Sequence, residues 1–152
     1  MGDVRDQGLP EIVLLNRQRS VALPVAPLVR FAQRALARCA LESADGLYAL
    51  CRLEEVVVTL VSDRRIDKIH RQFMDIAGAT DVITFEHGES VLSADTAARC
   101  GAEFGHGAAA EAALYIVHGL LHLNGFLDGT EAERVAMHGV QDRIWAACLP
   151  VE

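Results

Sequence analysis

His118-Gly-Leu-Leu-His-Leu-Asn-Gly-Phe-Leu-Asp128, HGLLHLNGFLD, is the stretch on which the organisation of this chain turns. Upstream of it, Ala108 to Leu123 is rich in alanine and leucine and free of proline, which predicts a helix carrying the first half of the stretch. Asn124-Gly125 then reads as a left-handed C-cap, and Thr130-Glu-Ala-Glu133 as a capping box opening a last helix that runs to about Cys148. Four residues apart on one helix, His118 and His122 leave the same face about one turn from each other, the bite that chelates a single metal ion. The turn through Phe126 and Leu127 delivers a carboxylate, Asp128, that can return to the same ion as a third ligand. Two histidines and one carboxylate leave a coordination position for water, whose pKa a divalent metal lowers until it is a nucleophile near neutral pH. Two plainer readings compete: histidines satisfied by neighbours on a half-buried helix, and an Asp128 that is only a turn residue before Gly129. Gly119 stands where HExxH metalloproteases place their Glu general base, which disfavours peptide hydrolysis by that route.

Outward from this stretch the chain alternates strand and helix. Glu11–Asn16 reads as a strand, and Leu23-Pro24 opens a helix to about Ala44 with Leu28, Phe31, Ala32, Leu36 and Leu41 on one face. Glu54 to Val61, β-branched and nearly continuous in its apolar character, suits a strand buried on both faces. Ser62-Asp63 then caps a helix to about Met74. Residues 75–80 read as a loop, Asp81–Phe85 and Ser90–Ser93 as short strands about a turn at His87-Gly88, and Asp95 to about Phe104 as a helix broken at Gly105-His106-Gly107. The expectation is one α+β domain over residues 1–152, a small mixed sheet of about four strands covered by about five helices.

Composition narrows the function. With 152 residues, 51% of them hydrophobic, the chain can bury one ordinary core. Its net charge of −7 argues against holding nucleic acid by bulk charge. The charge is uneven: residues 1–76 carry 11 Arg/Lys against 10 Asp/Glu, residues 77–152 only 3 against 11. A polyanion would have to meet the N-terminal half, and the region of the histidines would need a cation to tolerate it. Cys39, Cys51, Cys100 and Cys148 are scattered and read as reduced core thiols. The N-terminus MGDVRDQGLPEIVLL has acidic residues before its short apolar run, unlike a signal peptide, and no stretch has membrane-spanning length, so a cytoplasmic protein is expected.

HGLLHLNGFLD resembles the HGxLHLxGYDH signature of the YbeY family of bacterial endoribonucleases and rRNA maturation factors. Ile69-His-Arg-Gln-Phe73 and Ala79-Thr-Asp-Val-Ile-Thr-Phe85 resemble that family's LNxxY and PTDVLSF segments, and Gly88-Glu-Ser-Val-Leu-Ser93 its GDIxIS strand, so the likeness covers about residues 54–148. It implies a small sheet covered by helices, three histidines holding a metal, usually zinc, in a cleft, and single-stranded RNA of rRNA precursors as substrate, with the ribosome as a further partner and neither DNA nor membrane involved. His118 and His122 match two of those ligands. Asp128 stands where the family has its last histidine, and Leu127 where it has Asp. A carboxylate lowers the formal charge of a divalent site from +2 to +1, so its water is acidified less; the harder donor also suits Fe, Mn or Ni beside Zn.

The family's arginine in the loop helix aligns with Met74, and its loop Asp and Pro with Ala77 and Ala79. Arg71, one turn earlier, is the candidate replacement for a catalytic phosphate contact, against a surface arginine that is merely solvated. Arg64, Arg65, Lys68 and Arg71 form the best basic stretch for phosphate, with a solvated helix face as the alternative. No aromatic interleaving appears there. His87, His106 and His138 read as solvated rather than as ligands.

Overall fold

The computed structural model describes residues 8–74 and 81–152. The expected loop over 75–80, with Ala77 and Ala79, and the first residues of the N-terminal segment lie outside the described residues. The sheet has the strand order β1-β2-β4-β3. Its centre is β2 (Glu55–Val61), paired in parallel with β1 (Glu11–Asn16) on one side and β4 (Glu89–Ser93) on the other. The edge strand β3 (Val82–Phe85) runs antiparallel to β4, joined through a turn in which Gly88 takes φ +112°.

Period-2 alternation sorts β2 between two layers. Val56, Val58 and Leu60 enter the main core, whereas Val61 joins a smaller cluster with Ile66, Ile83 and Val91. Val57 and Thr59 are only half-buried, so the expectation of a strand buried on both faces holds for one face and fails along part of the other.

Among the described residues five α-helices cover this sheet: α1 (Val25–Cys39), α2 (Asp63–Met74), α3 (Ala94–Phe104), α4 (Gly107–Leu123) and α5 (Glu131–Cys148). Three of their starts are locally encoded: the Ser62 hydroxyl accepts from the Arg65 N–H at 3.2 Å, Ser93 from Thr96 at 3.0 Å, and Thr130 with Glu133 closes a reciprocal capping box. The end of α1 is not. It stops at Cys39 rather than near Ala44, leaving Leu41 47% exposed, because Asn124 intervenes from the far side of the core. The buried Asn124 amide donates to the carbonyls of Cys39 and Glu42, both at 2.9 Å, and its oxygen accepts from the Leu50 N–H at 3.2 Å. A tertiary partner thus satisfies the carbonyls that helix extension would have used.

The helix α4 is the central one, packed on α1, α3, α5 and the sheet. Ile116, Val117, Leu120 and Leu121 are essentially fully buried along it, at roughly 1.5–3 kcal/mol each, which outweighs the ~1 kcal/mol cost of an interior glycine at Gly119. Cys39 and Cys148 are buried, Cys51 and Cys100 half-buried, and all four thiols are free, with burial pushing the Cys39 thiol far above its ordinary range. No helix among the described residues is long and apolar enough to cross a membrane.

Candidate metal centre

His118 and His122 occupy the last two turns of α4, and the way that helix ends assembles their surroundings. Gly125 adopts φ +96°, a conformation that costs a side-chain-bearing residue dearly, and the Phe126 N–H turns back to the Leu121 carbonyl at 3.0 Å. This reversal carries the Phe126 carbonyl to His122 Nδ1 at 2.9 Å and returns the chain to Asp128. On the other side, the side-chain oxygen of Gln141, from α5, lies 2.7 Å from His118 Nδ1, while its amide nitrogen donates to Asp142.

Both Nδ1 atoms therefore donate to oxygen acceptors, which leaves the lone pair of each neutral ring on Nε2. The two Nε2 atoms face each other at 3.0 Å, and Asp128 Oδ2 lies 3.3 Å from that of His122 and 3.7 Å from that of His118. Three electron-rich atoms this close repel unless a proton or a cation lies among them. The point equidistant from all three is about 2 Å from each, which matches metal–N and metal–O bonds of roughly 2.0–2.2 Å. The donor set fits one ion. Burial, foremost, and the adjacent His122 hold the His118 pKa below its ordinary value, against the opposing pull of Gln141, Asp81 and Asp128, and the neutral ring so favoured is the form that ligates.

A cleft of about 430 Å³ opens onto these atoms, walled by Met74, Asp81, Thr84, Glu86 and Leu127. Gly119 is required by its own geometry as well. A Cβ there would collide with the Ser90 hydroxyl and sit 3.2 Å from Ser90 Cβ and 3.3 Å from the Thr84 hydroxyl. The helix lies so close on β3 and β4 at this point that any side chain after His118 is crowded, and the carboxylates near the cleft stand on other elements.

A family model described as Endoribonuclease YbeY matches residues 14–148. The chain belongs to the YbeY family. It is similar to a protein named Endoribonuclease YbeY from Nocardioides sp., 36% identical over 112 residues that cover 62% of this chain and 75% of the relative. The protein of that name from Micrococcus luteus is 29% identical over 154 residues, covering 91% and 92%. The solution structure of a Thermotoga maritima protein superposes with a TM-score of 0.57 at 21% identity over 90% of each chain, a likeness of fold.

Beside the family pattern, the structure brings Asp128 to the two histidines and puts Met74 in the cleft wall. Arg71 is elsewhere: its Nε donates to both oxygens of Asp67 at 3.1 and 3.2 Å, its side chain is 62% exposed, and it does not line the cleft. His138 is exposed with its ring centroid 6.4 Å from that of His118, outside the ligand group. His87 is exposed, as expected, and contacts Glu89 at 3.2 Å. His106 departs from expectation: it is paired at 2.5 Å with the buried Glu111 and packs edge-on against Trp145, because a buried carboxylate requires a partner. Sequence reasoning missed Gln141 and Asn124. Neither has a local signal, since Gln141 lies 23 residues from His118 and Asn124 looks like an ordinary cap.

Proposed function

We propose that the chain is a metal-dependent endoribonuclease acting on single-stranded RNA in rRNA maturation, with His118, His122 and Asp128 holding one divalent ion. The observation that carries this reading is the convergence of the three donor atoms with both Nδ1 atoms already committed to oxygen acceptors. Zinc suits the two imidazoles best, with iron, manganese or nickel as alternatives that the carboxylate tolerates. When bound, the ion supplies a Lewis acid that activates water and offsets phosphate charge.

The chain's own residues do the rest. Gln141 and the Phe126 carbonyl orient the two rings. Asp81, Glu86 and Asp128 make the cleft acidic, so an RNA backbone approaches only when a cation offsets them. With Gly rather than Glu after His118, and Asp128 committed to the ion, Asp81 and Glu86 are the carboxylates on hand to accept a proton from water. Arg71 is bound to Asp67 by a surface pair worth about 0–1 kcal/mol, which it can exchange for a phosphate oxygen. A cytoplasmic location with the ribosome as partner accords with this activity.

A second reading, a metal-binding ribosome-associated factor with weakened catalysis, is favoured by Met74 in the cleft wall where the family pattern has arginine. Metal content and cleavage of a single-stranded RNA, measured on purified wild type, His122→Ala and Asp128→Ala, decide. Wild type is expected to hold one ion and cut, His122→Ala to do neither, and Asp128→Ala to lose metal. Cleavage by His122→Ala refutes the mechanism, metal retained by Asp128→Ala returns that residue to the role of a turn, and metal without turnover in wild type selects the second reading.

A further inference from the structure

On the opposite face of β3 from the metal cleft, α2 and the β3–β4 hairpin enclose a groove of about 620 Å³. The two sites share walls. Thr84 and Glu86 face the cleft whereas Phe85 and His87 face the groove, and at the end of α2 Met74 lines the cleft while Phe73 lines the groove. Strand alternation separates Thr84 from Phe85, the turn continues the division through Glu86 and His87, and the two sites lie on either side of a single strand.

The groove holds a row of rings. Phe73 meets Phe85 edge-on at 5.4 Å between centroids, and Phe85 stacks on His87 at 5.8 Å with an interplanar angle of 23°. Core packing does not explain Phe73, which is 61% exposed at the end of a helix whose one buried residue is Ile66. Arg65 and Lys68, three residues apart on α2, line the same groove. Among the described residues its one carboxylate, Glu89, already faces His87. In a chain of net charge −7 this pairing of cations with exposed ring faces is complementary to a nucleotide, whose base stacks while its phosphate meets the cations.

We infer that the groove of Arg65, Lys68, Phe73, Phe85 and His87 is a nucleotide subsite for the RNA strand engaged at the metal cleft. This rests on the endoribonuclease reading above and assigns where that strand continues: over the β3 edge, with one base against Phe73 and its phosphate on Arg65 and Lys68. Stacking tolerates any base, so the subsite adds affinity without sequence preference.

The test uses metal-loaded wild type, Phe73→Ala, Lys68→Ala and Phe73→Trp with oligoadenylate and an oligomer carrying an abasic nucleotide. Phe73 is exposed, so its replacement leaves the fold intact. Phe73→Ala is expected to raise KM about tenfold, the loss falling on KM rather than kcat, and to bind the abasic oligomer no worse than wild type does. Lys68→Ala is expected to reduce the slope of log affinity against log salt by about 0.7. The indole of Phe73→Trp is expected to be quenched by oligoadenylate and not by the abasic oligomer, above a constant signal from Trp145. If wild type cleaves RNA while Phe73→Ala keeps its KM and Phe73→Trp shows no quench, the subsite is overturned, the groove is left to a polypeptide partner, and the endoribonuclease reading stands. If wild type neither binds nor cleaves RNA, both fall.

Discussion

Replacing Gln141 by leucine removes the acceptor from His118 Nδ1 while nearly conserving side-chain volume at a position only 7% exposed. The 2.7 Å hydrogen bond fixes both the ring's tautomer and its orientation, so the variant lets the lone pair turn away from the shared point and strands a partly buried N–H. Loss of such an outer-shell partner weakens metal binding by about 10–100-fold, or roughly 1.4–2.8 kcal/mol. That exceeds the ~0.5–1.5 kcal/mol of one neutral hydrogen bond, because misorientation adds to it. Competition with a chromogenic chelator measures the ratio directly. Gln141→Glu keeps an acceptor and is expected to bind at least as tightly as wild type, and thermal unfolding of the metal-free variants separates lost affinity from lost fold. A folded Gln141→Leu that binds metal as tightly as wild type would refute the role of Gln141 in orienting His118 for the ion.

Asn124→Ala is expected to cost about 2–5 kcal/mol in urea unfolding, since it removes the side-chain partner of the Glu42 carbonyl and the Leu50 N–H and leaves the Cys39 carbonyl only the Glu42 N–H, with unchanged stability as the outcome that counts against tertiary capping of α1. Gly119→Ala should lower stability by about 1–3 kcal/mol through overpacking, and Ser90→Ala in the same chain should recover part of it; additive losses would mean that the helix does not lie this close to β4. Asp63 clamps α2 to the start of α3 through Ser93, Thr96 and Arg99. Burial acts to raise its carboxyl pKa, yet these hydrogen bonds and the Arg99 charge together hold it below the ordinary 3.8. Its contribution is therefore present in full above that value and lost as pH falls through the lower folded value, so the deficit of Asp63→Ala, about 1–2 kcal/mol at pH 7, should shrink on acidification below about pH 4. A deficit independent of pH would show that the clamp is not ionic.

Much of the fold was legible because its signals are local. The helix starts at Ser62 and Thr130 and the stop at Gly125 each depend on residues within one turn, and the structure shows them as read. The His118/His122 bite was legible for the same reason, being a property of helical spacing alone. Arg71 shows where such reading ends. A helical wheel puts it on the same stripe as Met74, but which way an exposed arginine turns depends on its neighbours, here Asp67. The aromatic row escaped notice because Phe73 and Phe85 belong to different elements, twelve residues apart in sequence and 5.4 Å apart in space.

By itself, then, the sequence determined an α+β chain with paired helical histidines and a carboxylate able to reach them, since spacing and capping act over one helical turn. Tertiary structure alone decided that Gln141 pins His118, that Asn124 ends α1, and that an aromatic, basic groove backs the metal cleft. Each of these depends on helices and strands meeting across the core, and a buried polar group takes whichever partner the packing brings, at whatever distance along the chain.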